Sequence, residues 1–358
     1  MNAGAEAQPP TRPDIPMRPL DAAAIAAARA RQAQLVKPAG ALGRLEELAI
    51  WLAGATGSPR PQVVPRVVIA AADHGVARDE AVSAYPPAVT GQMLSTFLRG
   101  QGAITALAAE VGASLRLVDA GVDPATAPSD AEIVRVGIAP SANLAEGAAL
   151  MTPQVAAAVD CGRELAAEAA ADGVTVLVGG EMGIGNTTAA TCLAAALLDR
   201  DGADLVGPGT GLDDAGMARK REVVTRALAL HRPKHPGPLG WLRRVGGGEI
   251  AVLCGLALGA GEHGMAYVCD GLIATVGAAV AVAIEPELRP RLLAGHVSTE
   301  PAHAALLEHL ELEPVVDLGM RLGEGSGAVA ALALLRLACA AHDGMATFAE
   351  AGVAGPAS

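Results

Sequence analysis

The chain has 358 residues, 51% of them apolar and only 2% aromatic, and a formal net charge of −12. That length supports a sizeable core, in one large domain or two smaller ones, built mostly from Ala, Val, Leu and Ile. With 26 Lys and Arg against 38 Asp and Glu, the chain lacks the basic excess that neutralises a phosphate array, which argues against nucleic acid and anionic membrane surfaces as partners. A small anion is still accommodated, because a few backbone N–H groups and one Lys suffice for it.

Residues 1–18 are Pro-rich and polar, and read as a disordered tail without the apolar core of a signal peptide. From Leu20 to Leu52 apolar residues recur at helical spacing, with Pro38 and Gly40 dividing the stretch into two helices. A Pro/Gly link over 54–62 follows. Then come short β-branched runs at 67–71, 115–122 and 174–180, each leading through Gly, Asp or His into a helical stretch. Further strands are predicted at 267–274 and 314–320, and a buried Ala/Leu helix after 327. Continuous apolar strands alternating with helices predict an α/β fold, a parallel sheet with helices on both faces. The domain plan expected is a helical part over 19–60, an α/β core over 61–300, and a segment over 301–358 that ends the core and supplies C-terminal helices.

The longest uncharged apolar run, 271–284, is too short to span a bilayer, so the chain reads as soluble and cytoplasmic. Cys161, Cys192, Cys254, Cys269 and Cys339 are scattered without CxxC or Cys/His spacing. They read as buried thiols of a reduced compartment, with no disulfide frame and no metal site.

In such sheets ligands sit beyond the carboxyl ends of the strands, and five segments there carry chemistry. The first holds Asp73, His74, Ser83, Tyr85 and Gln92. It is either a pocket lining, with Tyr85 able to stack on a ligand, or a loop whose His caps a carbonyl. The second, 176–191, runs from a strand through Gly183 into a helix begun by Asn186, Thr187 and Thr188. It lacks the Lys of a P-loop and the spacing of a dinucleotide fingerprint. It fits a phosphate or ribose site, or a tight turn with a polar cap. Glu181 in that turn would repel phosphate, so it organises the loop or holds a ribose hydroxyl.

In the third segment, Gly209, Thr210 and Gly211 precede a helix capped by Asp213 or Asp214. Lys220, two turns into that helix, is solvated unless the loop folds back over it. In the fourth, Gly246 to Gly248 lead into an apolar helix with Glu249 in its first turn, where a structural role is expected. The fifth ends a predicted strand at Glu324, between Gly323 and Gly325, directly before an apolar helix. Partial desolvation there would raise the carboxylate's pKa and suit it as a base, although a simple charge at a helix start is the alternative. The N–H groups of Gly325, Ser326 and Gly327 form a further candidate anion cradle. Together these features describe a nucleotide-handling α/β enzyme or binding protein.

The runs KPAGALGRLEELA (37–49), ADHGV with SAYPPAVTGQM, EMGIGNTTAA, GPGTGLDD, GGGEIAVLCG, GHVSTEPAH, DLGMRLGEGSGAVAA and MATFAEAGV (345–353) occur in this order. The chain thereby resembles the nicotinate-nucleotide:dimethylbenzimidazole phosphoribosyltransferase family from residue 37 to its end. The resemblance implies a Rossmann-like parallel α/β domain, a small helical domain from both chain ends, and a homodimer. It implies transfer of 5-phosphoribose from nicotinate mononucleotide to 5,6-dimethylbenzimidazole, for the lower ligand of cobalamin, without a cofactor or metal.

On the same grounds Glu324 is the expected base, with Glu181 and Lys220 beside it in the catalytic set. Ser83, Tyr85, Gln92 and Leu322 are the expected benzimidazole pocket. Gly183, Asn186, Thr187, Gly209, Thr210, Gly211, Ser298, Gly325 and Gly327 are the other expected substrate-binding positions, with phosphate among the Gly-rich turns, Lys220 and Ser298. One position departs from the family pattern: Pro208 stands where Arg is expected, in a turn that Pro can still form. The rival readings are an NAD-dependent oxidoreductase, which the missing strand–GxGxxG–helix unit opposes, a non-catalytic nucleotide-binding protein, and a transferase acting on adenine or another benzimidazole.

Overall fold

The computed structural model describes residues 15–355. Helices α1 (Ala22–Gln34) and α2 (Arg44–Thr56) flank the predicted break at Pro38 and Gly40. Strand β1 (Pro65–Ala71) precedes α3 (Gly75–Glu80), α4 (Val89–Leu98) and α5 (Ala103–Glu110). Then follow β2 (Ser114–Asp119), β3 (Ile133–Arg135), α6 (Thr152–Ala171) and β4 (Val176–Met182). Four helices come next: α7 (Asn186–Leu197), α8 (Asp214–His231), α9 (Pro238–Val245) and α10 (Gly248–His263). The last elements are β5 (Ala266–Cys269), α11 (Leu272–Ile284), β6 (Leu292–Ala294), α12 (Pro301–His309), α13 (Ser326–Gly344) and α14 (Phe348–Ala351).

The six strands form one parallel sheet in the order β3-β2-β1-β4-β5-β6. This is the doubly wound order, in which the chain reverses direction across the sheet between β1 and β4. Side chains alternate between two buried faces, as strand geometry requires. Val68, Leu177 and Tyr267 join the core beneath α6, α7, α10 and α11. Val67, Ile69, Val178 and Val268 face the other way, against Leu48 and Leu52 of α2, Leu94 of α4, and Leu332 of α13. The helices from the two chain ends also meet directly, where Arg31 of α1 donates to the carbonyls of His342, Asp343 and Met345 at the end of α13.

The stretch 314–320 is not a strand. It makes isolated backbone bonds to the end of β6 and the residues after it, from Val315 N to the Ala294 carbonyl, from Val316 N to the Gly295 carbonyl and from Val297 N to the Val316 carbonyl. Pro314 has no N–H to extend that ladder and Leu318 is exposed, so pairing stops there. The predicted strands at 115–122 and 267–274 end early, at Asp119 and Cys269, and α11 begins at Leu272. The three-residue strands β3 and β6 were not foreseen. Of the expected tail, residues 1–14 lie outside the described residues. Arg18 at its end donates its amide to the Gly261 carbonyl. Helix α13 is long and apolar enough to cross a membrane by length and composition, but half of that stretch is buried inside the fold. All five cysteines are free and buried.

Candidate active site

A cleft opens beyond the carboxyl ends of β4, β5 and β6. It is lined by Glu181, Gly183, Asn186, Thr187, Gly209, Thr210, Ser298 and Leu322 among the predicted positions. His296, Glu300 and Arg321 line it as well and were not foreseen individually. The signal for His296 was its place directly after a strand, but the run 292–294 was too short to be read as one.

Glu324 is not itself among the residues that line the cleft; it follows Leu322 and Gly323, which do, and its carboxylate accepts the Ile104 amide at the amino end of α5. Gly323, Glu324 and Gly325 all adopt left-handed backbone angles, with φ of 84°, 63° and 85°. For a Glu this region is costly, on the order of 1–2 kcal/mol, and such residues persist where their surroundings over-determine them. Here Ser326 donates both its amide (3.0 Å) and its hydroxyl (2.7 Å) to the Gly323 carbonyl. The Glu324 side chain is buried and its Oε2 has no hydrogen-bond partner. Burial raises its pKa, opposed by the Ile104 amide and supported by the charge of Asp270.

Glu181 lies at the end of β4 and hydrogen-bonds the side-chain amide of Asn186. It is pushed up to about 8, first by burial and then by the charges of Asp270 and Glu249. The helix it meets, α7, has no side-chain cap. Gly185 is its N-cap, in a left-handed conformation, so the predicted Asn/Thr cap is not formed.

Lys220 is fully buried, because the loop before α8 does fold back over it. Its Nζ donates to Thr187 Oγ1 (2.8 Å) and to the Gly207 carbonyl (3.0 Å). Burial lowers its pKa to about 8, with Glu300 acting in the opposite direction. Glu300 Oε1 in turn accepts the Gly209 amide at 2.8 Å. The turn at Pro208 forms, its carbonyl accepting the amides of Gly211 (3.0 Å) and Leu212 (3.1 Å). Of the two candidate caps, Asp213 caps α8 through the Gly216 amide.

The predicted anion cradle at 325–327 is in part already occupied. Asp270, at the end of β5, accepts the amides of Gly325 (3.2 Å) and Ala328 (2.9 Å). Gly327 is buried directly under the His296 ring, where a methyl group would overlap it. Ser298 lines the cleft while its amide and hydroxyl both pair with His303 Nδ1. Burial lowers His303 to about 3, so the ring is neutral.

Ser83 is not among the residues that line the cleft, although its hydroxyl lies 3.3 Å from that of Thr210, which is. Tyr85 and Gln92 are exposed and do not line it, and neither does Gly211. His74 and Glu249 form a buried pair at 2.8 Å away from the cleft lining, so the foreseen structural role of Glu249 is to hold His74. Among the described residues no cluster of three or more His, Cys, Asp or Glu is arranged to hold a metal. What the site offers is a protonatable carboxylate in the cleft lining, two Gly-rich helix approaches, and, directly behind Leu322 and Gly323, a buried carboxylate with a free oxygen.

Residues 17–353 match the phosphoribosyltransferase family DBI_PRT. The nicotinate-nucleotide–dimethylbenzimidazole phosphoribosyltransferase of Pseudomonas putida W619 is 50% identical over 339 residues, covering 94% of this chain and 96% of that one. The protein of the same name from Azotobacter vinelandii is likewise 50% identical over 339 residues, with the same coverage. Among solved structures, CobT from Thermus thermophilus superposes with a TM-score of 0.87 at 45% identity, over 93% of this chain and 100% of that one.

Proposed function

The chain belongs to this phosphoribosyltransferase family, and on that premise we propose that it transfers 5-phosphoribose from nicotinate mononucleotide to 5,6-dimethylbenzimidazole. The products are α-ribazole 5′-phosphate and nicotinate, for the lower ligand of cobalamin. The observation that carries the assignment to a site is the Glu324 carboxyl, buried on a left-handed turn with Oε2 unpartnered.

The chemistry needs one base. The donor's pyridine nitrogen is cationic, so nicotinate departs with the electron pair of the C1′–N bond and requires no acid. One imidazole nitrogen of the acceptor attacks C1′ while the other loses its proton, which Glu324 accepts. A carboxylate raised above its ordinary range is a better match for that proton near neutral pH. Positive charge gathers on the ribose as the bond to nicotinate loosens, and the carboxylates around the cleft favour it. Lys220 acts by fixing Thr187 and the Gly207–Gly211 loop, whose backbone, with the start of α7, is the proposed seat of the phosphate. The homodimer and the cytoplasmic location implied by the resemblance belong to the same proposal. Light scattering on the purified protein decides the first.

The test is direct. Purified protein is mixed with nicotinate mononucleotide and 5,6-dimethylbenzimidazole, and the mixture is followed by mass spectrometry. Appearance of α-ribazole 5′-phosphate with equimolar nicotinate is the expected result. A folded protein that yields neither product overturns the proposal, and one that yields product only with adenine corrects its acceptor.

A further inference from the structure

We propose that Asp270 is the positioning residue for Glu324, holding the turn that carries the base to the end of β5. The inference rests on reading Glu324 as that base. Asp270 is almost completely buried, and its two carboxylate oxygens are divided between two amides. Oδ2 accepts Gly325 N at 3.2 Å and Oδ1 accepts Ala328 N at 2.9 Å. Its carboxylate also accepts the amide of its own neighbour, Gly271.

Three points turn this contact from a helix cap into a functional device. First, Gly325 follows Glu324 directly, so the bond to its amide fixes the peptide plane between them. A costly left-handed turn needs such a bond to hold one geometry. Second, the bond joins two parts of the chain that sequence does not connect, the end of a central strand and the start of α13. Ser326, the other group that holds the turn, belongs to the turn itself and cannot set its position in the fold. Third, both oxygens are acceptors. An Asn at this place would present an NH2 to one of the two amides, donor against donor, and would have to release it.

The charge matters as well as the bonds. Asp270 faces His296, whose Nε2 is 3.6 Å away. Its charge also acts on Glu181 at the end of β4, on Glu324, and on Tyr267 and Cys269 of its own strand. Loss of that charge makes it easier for Glu324 to hold its own, and the base then ionises at lower pH.

The test is steady-state kinetics of Asp270→Asn across pH, with Glu324→Gln in parallel. Turnover is expected to fall on the order of 10–100-fold, as for a small misplacement of a reacting group. KM for nicotinate mononucleotide should stay within about twofold, because Asp270 is not among the residues that line the cleft. The acid limb of kcat should move to lower pH. A role confined to stability would leave that limb in place. A folded Asp270→Asn with wild-type kcat, or with reduced kcat and an unmoved limb, overturns the proposal. Asp270→Ser, which keeps one capping oxygen without the charge, is read by the same criteria if the Asn variant does not fold. Full turnover in Glu324→Gln would overturn the base assignment itself, whereas its loss there with an unaltered Asp270→Asn would overturn only the positioning role.

Discussion

The carbonyl of Glu324 packs against the α-carbon of Gly180, so closely that a β-carbon on Gly180 would lie 2.6 Å from the carbonyl oxygen. The second glycine of the β4 pair is therefore the floor under the Glu324 turn. Gly180→Ala is expected to push the turn outward, costing about 1–3 kcal/mol of stability together with most of the turnover. Urea unfolding alongside kinetics checks both. Unchanged activity would mean that the turn tolerates displacement.

Glu324→Gln keeps the size of the side chain and removes its ability to take a proton. The variant should fold as the wild type does and lose turnover on the order of 10²–10⁴-fold. Circular dichroism and the product assay together decide this.

Lys220→Ala should act on donor binding. Without Nζ, Thr187 and the Gly207 carbonyl lose their shared partner, and Glu300 beneath the loop loses its nearby cation. KM for nicotinate mononucleotide should rise with a smaller change in kcat. A variant with normal KM and depressed kcat would place Lys220 in the chemical step instead.

Glu181 makes a prediction about pH and stability. Its folded-state pKa is about 8, raised from 4.5. Between those values the folded protein keeps a proton that the unfolded chain has given up, so stability falls as pH rises through this window. Glu181→Gln removes the titration. The difference in Tm between variant and wild type should therefore grow in favour of the variant from about pH 5 to about pH 8. A difference that is flat with pH would show that Glu181 ionises normally.

Much of the fold was legible because buried parallel strands are continuous β-branched runs. The segments at 67–71 and 174–180 were read on that basis, and β1 and β4 cover most of them. The same rule failed at 314–320, where the composition is right but Pro314 removes a donor and Leu318 faces solvent. It also failed at β3 and β6, which are too short to leave a pattern. The Glu324 turn was legible from its flanking glycines. Occupation of the α13 amides by Asp270 was not, since the partner lies 55 residues away from Gly325 in sequence. Lys220 likewise looks like a solvated helix residue until the Gly207 carbonyl is seen above it.

The acidic lining of the cleft bears on how a turnover would end. In nicotinate mononucleotide the positive ring and its own carboxylate cancel, so the nicotinyl group meets Glu300 without net charge. When the C1′–N bond breaks, the ring's charge is gone and nicotinate is a plain anion among carboxylates. The wall that holds the nicotinyl group without net force then repels the leaving group. Bond cleavage itself thus switches on the repulsion that favours release of the product.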